Sequence, residues 1–294
     1  MTSSRLPRAM WTLIEPIHDV TYFSAEPRAA FESAGLRGYW RGYFAGRAAP
    51  LGAVGAGPVI ALFSGFAPPF VRRALPAVWS MVTPNAALDA RAAGAAAALR
   101  RLAPDESAVE SAAAALERVI DGLDFAGRAL GAANADVPRP DDPHARFWQA
   151  TATLREYRGD CHVAALVGAG VAGLDILVLR CALDTYRDVL QPARGWGDDE
   201  WAVATDRLMA RGLLDTAGSI TDPGRQLVAD VEAVTDRAAA WTSLSSDEIT
   251  LIAKGLSPIA RACAAELPER TPIGELRLWD VDTDPAAALV TPPA

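Results

Sequence analysis

The chain has 294 residues, 51% of them hydrophobic, and its 36 acidic side chains outnumber 28 basic ones for a net charge of −8. That length can bury a large core and suits two domains or one domain of two lobes. The acidic balance excludes indiscriminate attraction to nucleic acid or anionic membranes, because affinity for phosphates comes from neutralising them with Lys and Arg.

From Pro7 to Phe23, apolar residues at Met10, Leu13, Ile14, Ile17 and Val20 have helical spacing, and Pro16 is expected to kink or break the helix. Pro27 to Ala34 reads as a helix stopped by Gly35, and Leu36 to Arg47 as one rich in aromatics. Gly52 to Pro58 reads as a loop, followed by short helices over Pro58 to Gly65 and Pro68 to Val82. Thr83 and Pro84 supply a cap and a first-turn proline for an alanine-rich helix to Leu102. The helical pattern continues from Glu106 to Leu130.

The stretch 132–143 combines three prolines with polar residues and no periodicity, and reads as a linker. It separates an N-terminal helical domain, 1–131, from a C-terminal domain, 144–282, with 283–294 as a frayed tail. Beyond the linker, Ala145 to Arg158 is amphipathic, Gly159 is expected to break it, and a long helix follows from Cys161 to about Ala182. Asp175 and Arg180 interrupt the apolar run Val163 to Leu183, so no membrane span is expected. The N-terminus lacks signal-peptide features, and Cys161, Cys181 and Cys263 have no C-x-x-C spacing. A cytoplasmic, reduced protein is the expectation.

Leu208, Arg211-Gly212-Leu213-Leu214, Gly218, Ile220-Thr221 and Gly224 resemble the end of the recognition helix, the wing turn and the next helix start of MarR-type winged helices. The segments 18–52, 66–79, 154–166 and 189–201 resemble an actinobacterial family of helix-turn-helix proteins of similar length. The resemblance implies a mainly α fold of two helical lobes, the C-terminal one a winged helix with a small β wing. Each half has a helix pair followed by an arginine-containing, glycine-rich turn, which suggests a tandem winged helix.

DNA reading needs side chains that reach base edges and cations for phosphates. From Asp198 to Asp215, Asp198, Asp199, Glu200, Asp206 and Asp215 face only Arg207 and Arg211. Acids at a helix start also suit its dipole, but they repel phosphate where contact would be made. Nucleic acid is therefore the less expected partner. A regulator would need a positive face, built across a homodimer from Arg72, Arg73, Arg100 and Arg101.

The aromatic run Tyr39 to Arg47 points to a small organic ligand instead. On a helix Tyr39, Tyr43 and Arg47 share one stripe and Trp40 and Phe44 the next, and Arg41 of the same segment is a further candidate ligand contact. Aromatic walls with a few cations suit an apolar or anionic organic ligand; the competing reading is a core stripe edged by surface arginines. His18 and Tyr22 form a second pair at four-residue spacing that can face the same cavity. The cluster Arg155 to His162 supplies Arg158 as a further ligand contact and Glu156 or Asp160 to orient His162 as a general base, unless Asp160 only caps the helix from Cys161. With His18, these make His162 and Glu156 the candidate catalytic groups.

His18, His144 and His162 have no H-x-x-x-H spacing, and the glycines 52, 55 and 57 are followed by no G-K-[ST], so neither a metal nor a cofactor is implied. The leading expectation is a small-molecule-binding winged-helix scaffold with a pocket between its halves, an enzyme or accessory protein of specialised metabolism. The alternative is a ligand-responsive, DNA-binding transcription regulator.

Overall fold

Prolines and short polar caps set where the helices begin, and glycines set where several end. The computed structural model describes residues 5–274 and 276–284; the expected tail beyond residue 284 lies outside the described residues. α1 (Leu6–Phe23) starts on Pro7 and runs through Pro16, so the expected break does not occur. Burial of both flanks of α1 outweighs the hydrogen bond that Pro16 cannot donate. α2 (Ala25–Ser33) ends before Gly35, whose φ of +98° favours glycine. α3 (Tyr39–Ala48), α4 (Ala56–Phe63) and α5 (Pro68–Arg72) follow as short helices, with 3₁₀ turns at Ala49–Leu51 and Ala77–Ser80.

The capping residues then recur. Thr83 Oγ1 accepts from Ala86 N to open α6 (Pro84–Leu102). Asp105 accepts from Ala108 N to open α7 (Glu106–Asp121). The helical pattern to Leu130 is interrupted after Asp121, and α8 (Ala129–Ala135) extends into the stretch read as linker. Asp142 accepts from Ala145 N and opens α9 (Pro143–Gly168), which continues straight through Gly159. The expected break there is overturned: buried residues on both sides of the glycine hold one 26-residue helix, about 39 Å long. The chain turns instead at Gly170 and Gly173, both with positive φ, into α10 (Leu174–Cys181).

α11 (Arg187–Arg194) and α12 (Asp198–Ala210) are joined by Gly195, Trp196 and Gly197, a helix-turn-helix junction. After α12, Asp215 Oδ1 accepts from Ala217 N and Ser219 N and closes a tight turn. Only one antiparallel bridge forms across it, Leu214 to Ile220, so the expected β wing is not seen and no sheet exists among the described residues. Thr221 caps α13 (Asp222–Ala238) through Gly224 N, and a reciprocal Ser245–Glu248 capping box opens α14 (Ser246–Ala264).

α9 is the axis of the packing. It lies against α1, α6, α7, α8 and α13. One apolar core joins α1, α6, α7, α9 and α14 around Leu13, Ile17, Leu116, Phe147 and Trp148. A second gathers the aromatics of α3 to α5 around Phe44, Phe63 and Phe66. A third, built on Leu179, Trp201, Ala204 and Leu208, holds the helix-turn-helix. No single helix among the described residues is long and apolar enough to cross a membrane.

Close helix crossings depend on glycine. A Cβ on Gly94 of α6 would lie 2.4 Å from Pro27 Cα, where α2 crosses, and one on Gly131 of α8 would lie 2.8 Å from Tyr157 Cα. In an open helix Gly→Ala gains up to about 1 kcal/mol. Here the neighbour is backbone, so Gly94→Ala is expected to cost about 1–3 kcal/mol instead. Urea unfolding checks this as a lower midpoint with an unchanged slope.

Candidate functional site

Four-residue spacing puts a polar stripe inside α1: Glu15 with Asp19, and His18 with Tyr22. Glu15, His18 and Asp19 are buried although α1 is otherwise a core helix. α3 brings Tyr39, Tyr43 and Arg47 alongside, and α9 brings Trp148, Arg155 and Glu156. His18 stacks on Trp148, with ring centroids 5.2 Å apart, and its Nε2 lies 3.1 Å from the Tyr22 hydroxyl. Trp148 Nε1 donates to the His18 carbonyl. Tyr22 and Tyr43 meet at 4.9 Å, and Tyr43 stacks on Tyr39 at 6.2 Å.

An alternating chain of charges runs through this cluster. Arg47 donates two hydrogen bonds to Glu156, at 2.7 and 2.8 Å, and a third to the Tyr43 hydroxyl. Arg155 donates to Glu156 at 3.0 Å and to Glu15 at 3.2 Å, and Trp11 Nε1 donates to Glu15. Arg91 lies over Trp148 and donates to Gly46 O, Gln149 and Asn134. Burial by itself would raise the Glu156 carboxyl, but Arg47 and Arg155 hold it well below the usual carboxylate range.

Within this cluster both carboxylate oxygens of Asp19, His18 Nδ1 and Arg91 Nε are buried without a hydrogen-bond partner; elsewhere among the described residues the same holds for Arg8 Nε, Ser24 Oγ and Arg158 Nε. Burial, then Glu15, push Asp19 well above an ordinary aspartate, and burial, then Arg155, push His18 well below an ordinary histidine. A narrow crevice lined by His18, Tyr22, Tyr43, Arg47, Trp148 and Glu156 reaches His18, with room for about one water. It adjoins a second crevice between Tyr22, Phe31, Gly42 and Tyr43 that reaches Tyr39, which is 40% exposed. The wider groove between α9 and α13 is mostly apolar, and Asp160 and Arg128 at its edge are already bonded.

Other sequence candidates lie elsewhere. Trp40 packs into the second core against Phe66 and Phe70, and Arg41 points outward to the Arg37 carbonyl. Arg158 binds Glu232 and Asp236 on α13. His162 meets Thr235 at 3.1 Å and Glu232 at 3.6 Å. The expected pairing of Glu156 with His162 does not form, because residues six apart on a helix leave it about 120° apart. Asp160 caps α8, accepting from Leu130 N and Gly131 N, rather than starting a helix of its own. Sequence reasoning does not single out Glu15, Asp19, Arg91, Trp148 or Arg194; for Glu15 and Asp19 the available signal is a four-spaced acid pair inside an apolar helix.

The helix-turn-helix surface has its own electrostatics. α12 buries Trp201, Ala204 and Leu208 and exposes Asp198, Asp199, Glu200, Val203 and Asp206. Arg207 is bonded to Asp175, Arg211 to the Gly170 carbonyl, and Arg187 to Asp198. Of the four arginines that a positive face would need, Arg100 pairs with Asp142, and Arg101 with Glu26 and Glu266.

Burial of these charges has measurable consequences. Glu156→Ala leaves Arg47 without an anion, so a loss of about 3–5 kcal/mol in chemical denaturation is expected. For Asp19 the folded pKa is raised, so its burial costs nothing below the unfolded aspartate value and progressively more as pH climbs above it. Asp19→Asn is therefore expected to raise stability by about 1–3 kcal/mol at pH 7, the gain fading toward about pH 4. Melting curves across that range check the sign.

Searches of curated proteins and of solved structures find no match. The profile of the helix-turn-helix family matches residues 7–268, nearly the whole chain. The α11–α12 junction lies within the match. The chain belongs to that helix-turn-helix family.

Proposed function

We propose that this helix-turn-helix protein binds a small organic ligand at the crevice between α1, α3 and α9, and that its winged-helix-like segment is a scaffold. The observation that carries the reading is the pair of unpartnered buried groups, Asp19 and His18 Nδ1, beside a tyrosine-lined crevice. Buried polar atoms are almost always satisfied, and a site that awaits a ligand is one setting in which they are not. Tyr22, Tyr39 and Tyr43 supply flat walls, and Arg47 with Glu156 fixes the floor. Acid–base work in this reading falls to His18, held neutral by burial and oriented by Tyr22. His162 sits in the α9–α13 ion cluster and takes no part.

The second reading, a ligand-responsive regulator, is favoured by the family and by the α11–α12 geometry. Its difficulty is electrostatic: the helix that would enter a groove exposes four carboxylates, and nearby arginines are bonded within the fold. Phosphate attraction requires free cations there.

Two measurements on the purified full chain separate these readings. A labelled duplex from the upstream region of its own gene is expected to show no selective retention over a scrambled duplex at physiological salt; selective retention would establish the regulator. In a thermal-shift screen of small organic compounds, a stabilising compound is expected to lose its effect in Tyr39→Ala while the variant keeps its fold. A screen whose only active compounds bind Tyr39→Ala equally well would sink the pocket.

A further inference from the structure

The side of α9 that faces α7 and α8 holds a cavity of about 310 Å3, room enough for a small molecule. Ile120, Leu123, Phe125 and Val137 give it an apolar wall. The charged groups that line it are Glu117, Asp121, Arg139 and Arg146, and they are paired with one another. Arg146 Nε donates to Glu117 at 2.7 Å, and Arg139 bonds Asp121 and lies 3.6 Å from Glu117. Two guanidinium groups thus offset two carboxylates, and the lining offers a ligand no net charge.

The buried end of the cavity is made by Asn134, Gln149 and Thr153. Arg91, which lines the His18 crevice and not this cavity, donates to Gln149 Oε1 at 2.8 Å and to Asn134 Oδ1 at 3.4 Å, so both amide oxygens are turned to the arginine. Gln149 Nε2 donates to the Asn134 carbonyl at 2.9 Å and to Thr153 Oγ1 at 3.5 Å. Asn134 Nδ2 donates to the Leu130 carbonyl, and the Thr153 hydroxyl donates to the Gln149 carbonyl. An amide nitrogen has two hydrogens to give and a hydroxyl oxygen two lone pairs. One N–H of Asn134 and one lone pair of Thr153 are therefore left without a partner among the described residues. Arg91 polarises the Asn134 amide through its oxygen, which strengthens the N–H that is left.

We propose that this cavity is a second ligand site, and that its ligand is a neutral molecule with an amide or lactam head on an apolar body. The head's carbonyl oxygen accepts from Asn134 Nδ2, its N–H donates to Thr153 Oγ1, and the body lies along Leu123, Phe125 and Val137. A site that hydrogen-bonds both groups rejects an analogue lacking one, because a buried polar atom is then left unpaired. A carboxylate head brings no donor for Thr153 and a charge that the balanced lining does not offset. The site stands apart from the tyrosine crevice and does not rest on the reading given for it.

The test uses the full chain with three probes of one shape: benzamide, acetophenone, which keeps the carbonyl and lacks the N–H, and benzoate. Each is titrated in the millimolar range by ligand-detected NMR. Benzamide is expected to bind about tenfold more tightly than the other two, and Thr153→Val to remove its advantage over acetophenone. Val137→Trp, which fills the cavity from its half-buried wall, is expected to abolish binding. Should Thr153→Val fail to fold, the wild-type ranking together with Val137→Trp decides. Equal binding of benzamide and acetophenone, or tighter binding of benzoate, overturns the amide site. So does the absence of benzamide binding, or benzamide binding that survives in Val137→Trp. If that surviving binding is lost in Tyr39→Ala, the probe sits in the tyrosine crevice, and that reading stands while this one falls.

Discussion

Glu156 held between Arg47 and Arg155 is the constraint around which the first half of the molecule is arranged. A buried carboxylate is tolerated only where cations compensate it, and the two arginines come from different elements, α3 and α9. Arg155 extends the chain of charges to Glu15 on α1. α1 and α9 share one apolar core while α3 lies in another, and the ion chain joins all three. The apolar core around Leu13, Ile17, Phe147 and Trp148 supplies the driving force, and the ion chain supplies the specificity of placement.

That same arrangement creates the site. Once α1 is fixed with its polar stripe inward, His18 and Asp19 are carried into the interior, and the scaffold gives neither a full set of partners. Trp148 stacks on the His18 ring and bonds its carbonyl, so the imidazole is oriented from the backbone outward. The tyrosines of α3 continue the stripe toward solvent. The result is a polar floor under an aromatic crevice; Phe66, which packs against Tyr43, is covered by Arg194 of α11. The two halves meet at this point, because α11 places both Arg194 and the Gly195 turn against the α5 region; a Cβ on Gly195 would lie 2.4 Å from the Phe70 ring.

The α11–α12 segment is electrostatically unlike a duplex reader. α12 has the buried spacing that the motif needs, Trp201, Ala204 and Leu208, while its outer face carries acids. Nearby arginines are engaged by Asp175, by the Gly170 carbonyl and by Asp198. Fold and surface charge thus carry separate information, and family membership speaks to the first.

The sequence by itself determined the mainly helical class, the capped start at Thr83 and the acidic balance of the Asp198 to Asp215 stretch, since each follows from spacing, capping chemistry or local charge. It also offered the α3 aromatic stripe and the His18–Tyr22 pair as candidates. It did not determine that α9 passes through Gly159, that Pro16 sits inside α1, or that the Leu214–Ile220 turn makes one bridge and no wing. Those depend on how much flanking surface is buried, which local propensity does not contain. Nor did it place Glu156 with Arg47 or His162 with Thr235. Both join residues from separate elements, 109 and 73 positions apart along the chain. Electrostatic partnership inside a protein is set by distance and burial in three dimensions, so only the tertiary structure decided which charges were paired and which were left waiting.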